Sequence, residues 1–414
     1  MFTLVVYDFA VKYTKDEDAE HLISLIRNKY KFKVDWEAKQ YIGINLEWNY
    51  GNREVTLSMK NYVIQALKEL GHTAPKRPQY APSHMKRPDY GQKVQYVKTD
   101  ETEPMTPTEV TYKEKVTGKF LFYGRAIDNT MLHALNHIAS SAKTKYTLLQ
   151  ALKHFLDYAA TNPDAKIMYR ASDMILQGDS DAAYLVVPEA RSRAGGFHYT
   201  GNGDGQLTNG PITVLAKIIK HVMKSAAEAE VIALFMNAEE LVPLRHCLEE
   251  MGHPQPPTPL KTDNSTANGI INRATMRQKR SKSFDMRYQW MRNIVDQGQS
   301  KVYWQPGSQN KGAFSTKHHT GTHHRIFRKI QLYEEDESPT SEQRCIGLLK
   351  LKKIQTEKSS TKKPNTLRDC NTHRVINAHA LRLRTKTNTQ STPSILHDRK
   401  PRSNTGYCVL LLKS

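Results

Sequence analysis

Three acidic residues in the second block of the 414-residue chain have the type and placement for metal chemistry. Asp181 lies in Gly178-Asp179-Ser180-Asp181-Ala182-Ala183-Tyr184, Glu230 in Ala226-Ala227-Glu228-Ala229-Glu230, and Asp263 in Lys261-Thr262-Asp263-Asn264-Ser265. The flanking patterns put Asp181 just after a strand, Glu230 in the first turns of a capped helix and Asp263 at the end of a short strand. Hard divalent cations take oxygen ligands. Two such ions, about 3.5–4 Å apart, can hold both the attacking water and the leaving oxygen of a phosphodiester. Any one of these carboxylates alone reads equally as a solvated group at an element end; their joint placement points to Mg2+, or Mn2+ in its stead. His318-His319 and His323-His324 also invite a metal reading. They lack a Cys or acidic partner at zinc spacing, which argues against it.

The elements that must position these carboxylates follow from hydrophobic period. Helices are predicted over 116–127, 131–140 and 147–160, then strands over 165–169, 174–177, 196–200 and 212–219. A long helix over 226–251 opens on the Ser225-x-x-Glu228 capping box and stops at Gly252. A strand over 260–262, a helix over 283–295, a strand over 300–304 and a last helix near 309–317 complete the block. Strands first, then helices alternating with strands, predict an α/β (α+β) mixed sheet covered by helices. Upstream, residues 2–13 read as a hairpin with Asp8 at its tip, and 16–30 as a helix. Strands are expected at 41–46 and 54–57, followed by a helix over 60–70 capped by Ser58.

Composition adds a partner class. Lys and Arg number 61 against 41 Asp and Glu, a net charge of +20, which favours an anionic partner. No apolar run approaches the roughly 18–20 residues of a membrane span, and the N-terminal residues lack the charged region of a signal peptide. Cys247, Cys345, Cys370 and Cys408 form no CxxC pair, so a reduced, intracellular protein (cytoplasm or nucleus) is expected. The charge is uneven: residues 343–414 hold 16 Lys and Arg against 3 Asp and Glu. That stretch is poor in aromatics and predicts disorder. Pro75, Pro78, Pro82, Pro88, Pro104 and Pro107 mark a linker between two folded blocks.

Asp181 with Pro188-Glu189-Ala190-Arg191-Ser192-Arg193-Ala194-Gly195-Gly196, then Ser225 to Glu230, then Thr262-Asp263-Asn264-Ser265-Thr266-Ala267, resembles the ribonuclease H domain of copia-type retrotransposon polyproteins. Arg280 to Arg287, Tyr303-Trp304-Gln305-Pro306-Gly307 and Thr316-Lys317-His318-His319 continue the pattern to about residue 325. The resemblance implies hydrolysis of the RNA strand of an RNA–DNA hybrid, with Asp181, Glu230 and Asp263 as three of the metal ligands. The family's fourth aspartate falls at Ala313, and neither Gln309 nor Asn310 restores its charge.

The hairpin over residues 2–12 resembles the palm hairpin of copia-type reverse transcriptases. There the family carries two adjacent aspartates, and this chain has Tyr7-Asp8. Tyr41-Ile42-Gly43-Ile44 resembles the primer-grip turn, and Leu57 to Ile64 the start of the thumb helix. Gly118-Lys119-Phe120-Leu121-Phe122-Tyr123 through Pro163-Asp164 resembles the helical connection.

The expected organisation is therefore a partial palm and thumb over 1–72, a Pro-rich linker over 73–110 and a helical connection over 111–164. A ribonuclease H-like domain over 165–325 and a disordered basic tail over 326–414 follow. Polymerase activity is not expected. Arg191, Arg193, Lys217, Lys220, Lys224 and Arg280 are candidates for the phosphate contacts that dominate sequence-independent affinity. A weak hybrid nuclease, a non-catalytic nucleic-acid-binding protein and a decayed element product without function are the three readings.

Overall fold

The computed structural model describes residues 2–6, 8–85, 100–141, 143–203, 208–272, 282–333 and 406–412. Tyr7, Arg280 and the basic stretch 334–405 lie outside the described residues. The chain opens with β1 (Phe2–Val5), β2 (Asp8–Tyr13), α1 (Asp16–Arg27), β3 (Phe32–Asp35), β4 (Gln40–Tyr41), β5 (Ile44–Asn49), β6 (Glu54–Ser58) and α2 (Tyr62–Glu69). The helical segment is α3 (Pro107–Ala126), α4 (Leu132–Ser140), a π-helical turn over Thr147–Leu152 and α5 (Lys153–Thr161). Then come β7 (Lys166–Arg170), β8 (Ile175–Val187), β9 (Arg191–Gly201), β10 (Thr208–Ile219), α6 (Ala226–Glu250), β11 (Thr258–Thr262), α7 (Ser265–Asn272), α8 (Lys282–Asp296) and β12 (Ser300–Trp304). Two 3-10 turns, Gly307–Gln309 and Lys311–Ser315, lead to α9 (Gly321–Gln331), and β13 (Gly406–Leu412) closes the described chain.

The expected mixed sheet forms in the order β10-β9-β8-β11-β12. Its first three strands are antiparallel, and β11 runs parallel to both β8 and β12. The buried stripe of α6, including Ala229, Ala233 and Leu241, covers one face together with α7 and α8. Ser225 caps α6 as the sequence predicts, accepting from the Glu228 amide at 3.2 Å. Glu228 reaches back one residue further than expected, to the Lys224 amide at 2.7 Å.

Several boundaries differ from expectation. The strand expected at 165–169 forms as β7, but it pairs antiparallel with β6 and not with the Asp181 strand. Long-range pairing with Glu54–Ser58 places it in the sheet β4-β5-β6-β7 of the first block. The expected linker 73–110 gives way at Thr106, whose side chain and Glu109 form a reciprocal capping box with Pro107 inside the helix start. Asn61, in a left-handed conformation and without a side-chain capping hydrogen bond, holds the N-cap position of α2 in place of Ser58, which ends β6. The last helix expected near 309–317 is two 3-10 turns. The tail expected to be disordered from 326 instead begins inside α9. Its apolar end, Gly406–Leu412, inserts as β13 between β2 and β3, antiparallel to both.

Helices α2 to α5 share one core, with Val63, Phe120, Tyr123, Leu135 and Phe155 buried in it. This core anchors the segment that follows β12. Arg328 on α9 donates to Asp128 at 2.5 Å and to the Tyr158 hydroxyl at 2.8 Å, and all three are buried. His324 Nε2 meets the same hydroxyl at 2.8 Å. A layer of histidines joins the same surfaces. His133 Nδ1 is 2.9 Å from the Ser315 carbonyl, and the His133 and His137 rings meet His318 edge to face. His319 stacks on Phe314. These rings pack edge to face or stacked, and the only metal-competent cluster among the described residues is the carboxylate group.

Breaking a buried ion pair from one side strands the other charge, at about 3–5 kcal/mol. Arg328→Leu is therefore expected to destabilise by that amount in urea unfolding, and Asp128→Asn added to it recovers most of the loss. Burial lowers His318 and His324 to about 3 and His319 to about 4. The unfolded chain takes up these protons near pH ~6.5, so the layer's contribution is present above that pH and is lost as pH falls toward 3–4. Melting temperatures should drop across this window. His318→Phe, which removes an imidazole whose buried Nδ1 has no partner, should flatten the drop.

Candidate metal centre

Period-two alternation along β8 puts Gln177, Asp179 and Asp181 on the sheet face away from α6. Asp181 stands in the middle of β8, not after it as the sequence suggests. The strand outruns its apolar residues because β9 pairs with it from Ile175 to Ala183. The parallel register of β11, with Leu260 opposite Gly178 and Lys261 opposite Asp179, carries Asp263 toward the level of Asp181. The first turns of α6 bring Glu230 in from the side. One carboxylate oxygen from each of Asp181, Glu230 and Asp263 lies within 4.8 Å of the others.

Asp181 and Glu230 are buried, and Asp263 is partly so. Burial raises the Asp181 carboxyl, opposed by the Lys317 charge and by the Thr316 hydroxyl, which donates to its Oδ2 at 2.6 Å. Burial, then repulsion from Asp181 and Asp263, pushes Glu230 up to about 8. The Glu230 Oε2 is buried without a hydrogen-bond partner. A divalent cation fits this donor set: all oxygen, concentrated negative charge and one orphaned carboxylate oxygen.

The position at which the resemblance expects a fourth aspartate offers no ligand. Ala313 lies in the turn Lys311–Ser315, and the neighbours that could substitute are unsuited. Asn310 is buried, donating to the Ser180 carbonyl at 2.8 Å and accepting from the Gly312 amide at 3.0 Å. Gln309 is exposed. This turn lies directly on β9: a Cβ on Gly195 would collide with the Gly312 carbonyl and the Thr316 methyl. Glycine at 195 thus permits the approach that delivers Thr316 to Asp181.

The basic candidates separate. Arg193 is buried and donates to Asn136 at 2.5 Å, so its place among phosphate contacts is corrected: β9 turns it inward onto α4. Arg191 pairs with Glu189, and Lys217 with Glu240 at 2.7 Å. Lys220 and Lys224 are exposed and make no ion pair among the described residues. In the first block, the Asp8 carboxylate accepts from the Ile42 amide at 2.7 Å and braces the turn 41–43.

Two residues escaped sequence reasoning. Asp179 shares the Asp181 face; its Oδ2 accepts from the Lys311 amide at 3.1 Å while Oδ1 is buried without a partner. The i, i+2 spacing could have revealed it. Thr316 bonds a residue 135 positions away, which no local pattern encodes.

No family model matches the chain. Among solved structures, the N-terminal RNase H domain of a Mycobacterium tuberculosis protein, fused to maltose-binding protein, aligns with 33% of this chain and 91% of that one. The identity is 12% and the TM-score 0.25. Among curated proteins, a retrovirus-related Pol polyprotein from transposon TNT 1-94 of Nicotiana tabacum is 29% identical over 168 residues, 41% of this chain. The chain spans 12% of that relative's length. Over the matched stretch, the chain is similar in sequence to a retrovirus-related Pol polyprotein of a transposon.

Proposed function

We propose that this is a copia-type retrotransposon-derived reverse transcriptase and ribonuclease H fragment. It binds RNA–DNA hybrid, cleaves the RNA strand at most weakly and acts inside the cell. The observation that carries the reading is the convergence of three carboxylates from β8, α6 and the end of β11 to within 4.8 Å. Asp181, Glu230 and Asp263 would hold Mg2+ or Mn2+. When bound, such an ion stabilises the charge that develops on a phosphodiester and lowers the pKa of an attacking water. Glu230 must give up its proton before it can serve as a ligand. Thr316 fixes the rotamer of Asp181, and Lys317 offsets part of the negative charge. Lys220 and Lys224 remain available to nucleic-acid phosphates.

Weak turnover follows from Ala313. Without a fourth carboxylate the residues complete one cation cluster, and affinity for a second ion falls with ligand number and charge. The same observation favours a second reading, a non-catalytic hybrid-binding protein. Polymerisation is not expected, because Asp8 stands alone of the adjacent pair and its carboxylate is engaged by Ile42.

Apparent metal affinity, measured by calorimetry, should rise by about tenfold per pH unit for each proton displaced, then level off above the Glu230 value of about 8. Proton release should accompany binding below that pH. In the metal-free protein the sign is that of a raised carboxyl: its stabilising contribution is full below pH ~4.5 and lost as pH rises through about 8. Glu230→Gln should therefore raise the metal-free melting temperature at pH 9.

In a cleavage assay on labelled hybrid with Mn2+, product above the Asp181→Asn background supports the nuclease. Equal signals from both proteins sink it and leave the binding reading. Ala313→Asp should raise the rate by roughly tenfold or more, because a well-held second ion is worth several kcal/mol in the transition state.

A further inference from the structure

Lys261 lies on β11 two residues before Asp263, and strand register puts its side chain on the same sheet face as Asp181. It stands opposite Asp179, which alternates with Asp181, while β9 sets Gly195, Phe197 and Tyr199 opposite Asp181, Asp179 and Gln177. The other face belongs to α6, where Asn237 bonds Ser180 and His198. The Lys261 ammonium is held in place: it donates to Gln177 Oε1 at 3.0 Å and to the Tyr199 hydroxyl at 3.1 Å. That hydroxyl donates to the same Oε1 at 3.3 Å, which closes a triangle whose other two members are buried. A second cation arrives from the turn after β12. The Lys311 amide donates to Asp179 Oδ2 at 3.1 Å, and its Nζ lies 4.2 Å from the centre of the Tyr199 ring, with the Lys261 Nζ at 5.7 Å.

A lysine at a strand surface ordinarily turns its head out to water. Lys261 is partly buried, and its ammonium makes no ion pair among the described residues. Both of its partners are neutral, although Asp179 stands across from it. Holding a desolvated charge on neutral groups is unfavourable unless an anion completes the site. An ammonium has three N–H donors, and the triangle uses two.

We propose that Lys261, joined by Lys311, forms a phosphate subsite that takes a backbone phosphate of the hybrid other than the one held at Asp181, Glu230 and Asp263. The assignment rests on the nuclease-site reading above and names a part of its substrate contact. Gln177 precedes Asp181 by four residues, about 13 Å along a strand that rises ~3.3 Å per residue. That spacing sets the subsite apart from the phosphate being cleaved. The preset ammonium limits the ordering cost of binding, and a contact to the backbone alone is indifferent to sequence.

The test uses the full chain with saturating Ca2+ and a fluorescein-labelled RNA–DNA hybrid, titrated across a salt series. Each phosphate contact contributes roughly 0.7–0.9 to the slope of log affinity against log salt. Lys261→Met, which keeps the apolar stem, should weaken binding and lower the slope by about that amount. Lys311→Met should do the same, and Lys261→Arg should keep the wild-type slope. The metal-free melting temperature should hold or rise in Lys261→Met, because a desolvated charge without a counter-ion is gone. A neutral methylphosphonate moved along the hybrid should abolish the difference between wild type and Lys261→Met at one position, away from the scissile phosphate. An unaltered slope in Lys261→Met, with or without a lower melting temperature, makes Lys261 a brace for Gln177 and Tyr199 and overturns the subsite, while wild-type binding keeps the nuclease reading intact. Failure of wild type to bind hybrid removes that reading and the subsite with it.

Discussion

Three carboxylates within 4.8 Å of one another, two of them buried, repel each other strongly in the absence of a cation. Burial amplifies the repulsion because water is not there to screen it. The chain responds in ways that can be read atom by atom. Glu230 is held protonated to about 8, Thr316 donates to Asp181, and Lys317 lies near enough to oppose the shift on both buried carboxyls. Such an arrangement is uphill unless a positive charge can enter. The architecture around it is best understood as what keeps the three side chains from separating.

That work is done far from the carboxylates. The segment carrying Thr316 and Lys317 is pinned between β9 and the helical core. Gly195 admits it on one side, and the histidine layer with the Arg328–Asp128–Tyr158 network holds it on the other. The helical segment and the mixed sheet are therefore joined at a buried polar interface. Buried polar networks of this kind fix a unique geometry only when their members are satisfied. Arg328 is satisfied, with two partners. His318 Nδ1 is not, and neither are the buried side-chain amides of Asn129 and Gln331.

Local pattern was sufficient for much of the fold. The long helix over Ala226–Glu250, its serine cap and the alternation of strands and helices after it are all legible, because each depends on residues three or four positions apart. Errors fell where pairing overrode pattern. Lys166–Arg170 is a strand in sequence and in structure, but its partner β6 is more than a hundred residues away. The apolar end Gly406–Leu412 looks too short to matter until β2 and β3 receive it. Asp181 seemed to follow a strand because Gly178 and Ser180 interrupt the apolar run, whereas pairing with β9 carries the strand to Val187.

The sequence by itself determined the donor set. Asp181, Glu230 and Asp263 are recognisable by type and by the elements they sit on, and Ala313 stands where the resemblance expects a fourth carboxylate. Tertiary structure decided what those donors have around them. It turned Arg193 inward onto Asn136, consumed Asn310 in backbone hydrogen bonds and engaged Asp8 with a turn amide. It also brought Thr316 to Asp181 and set Lys261 on Gln177 and Tyr199. The division is physical: residue type and period act over a few positions, while desolvation and hydrogen bonding depend on which distant surfaces meet.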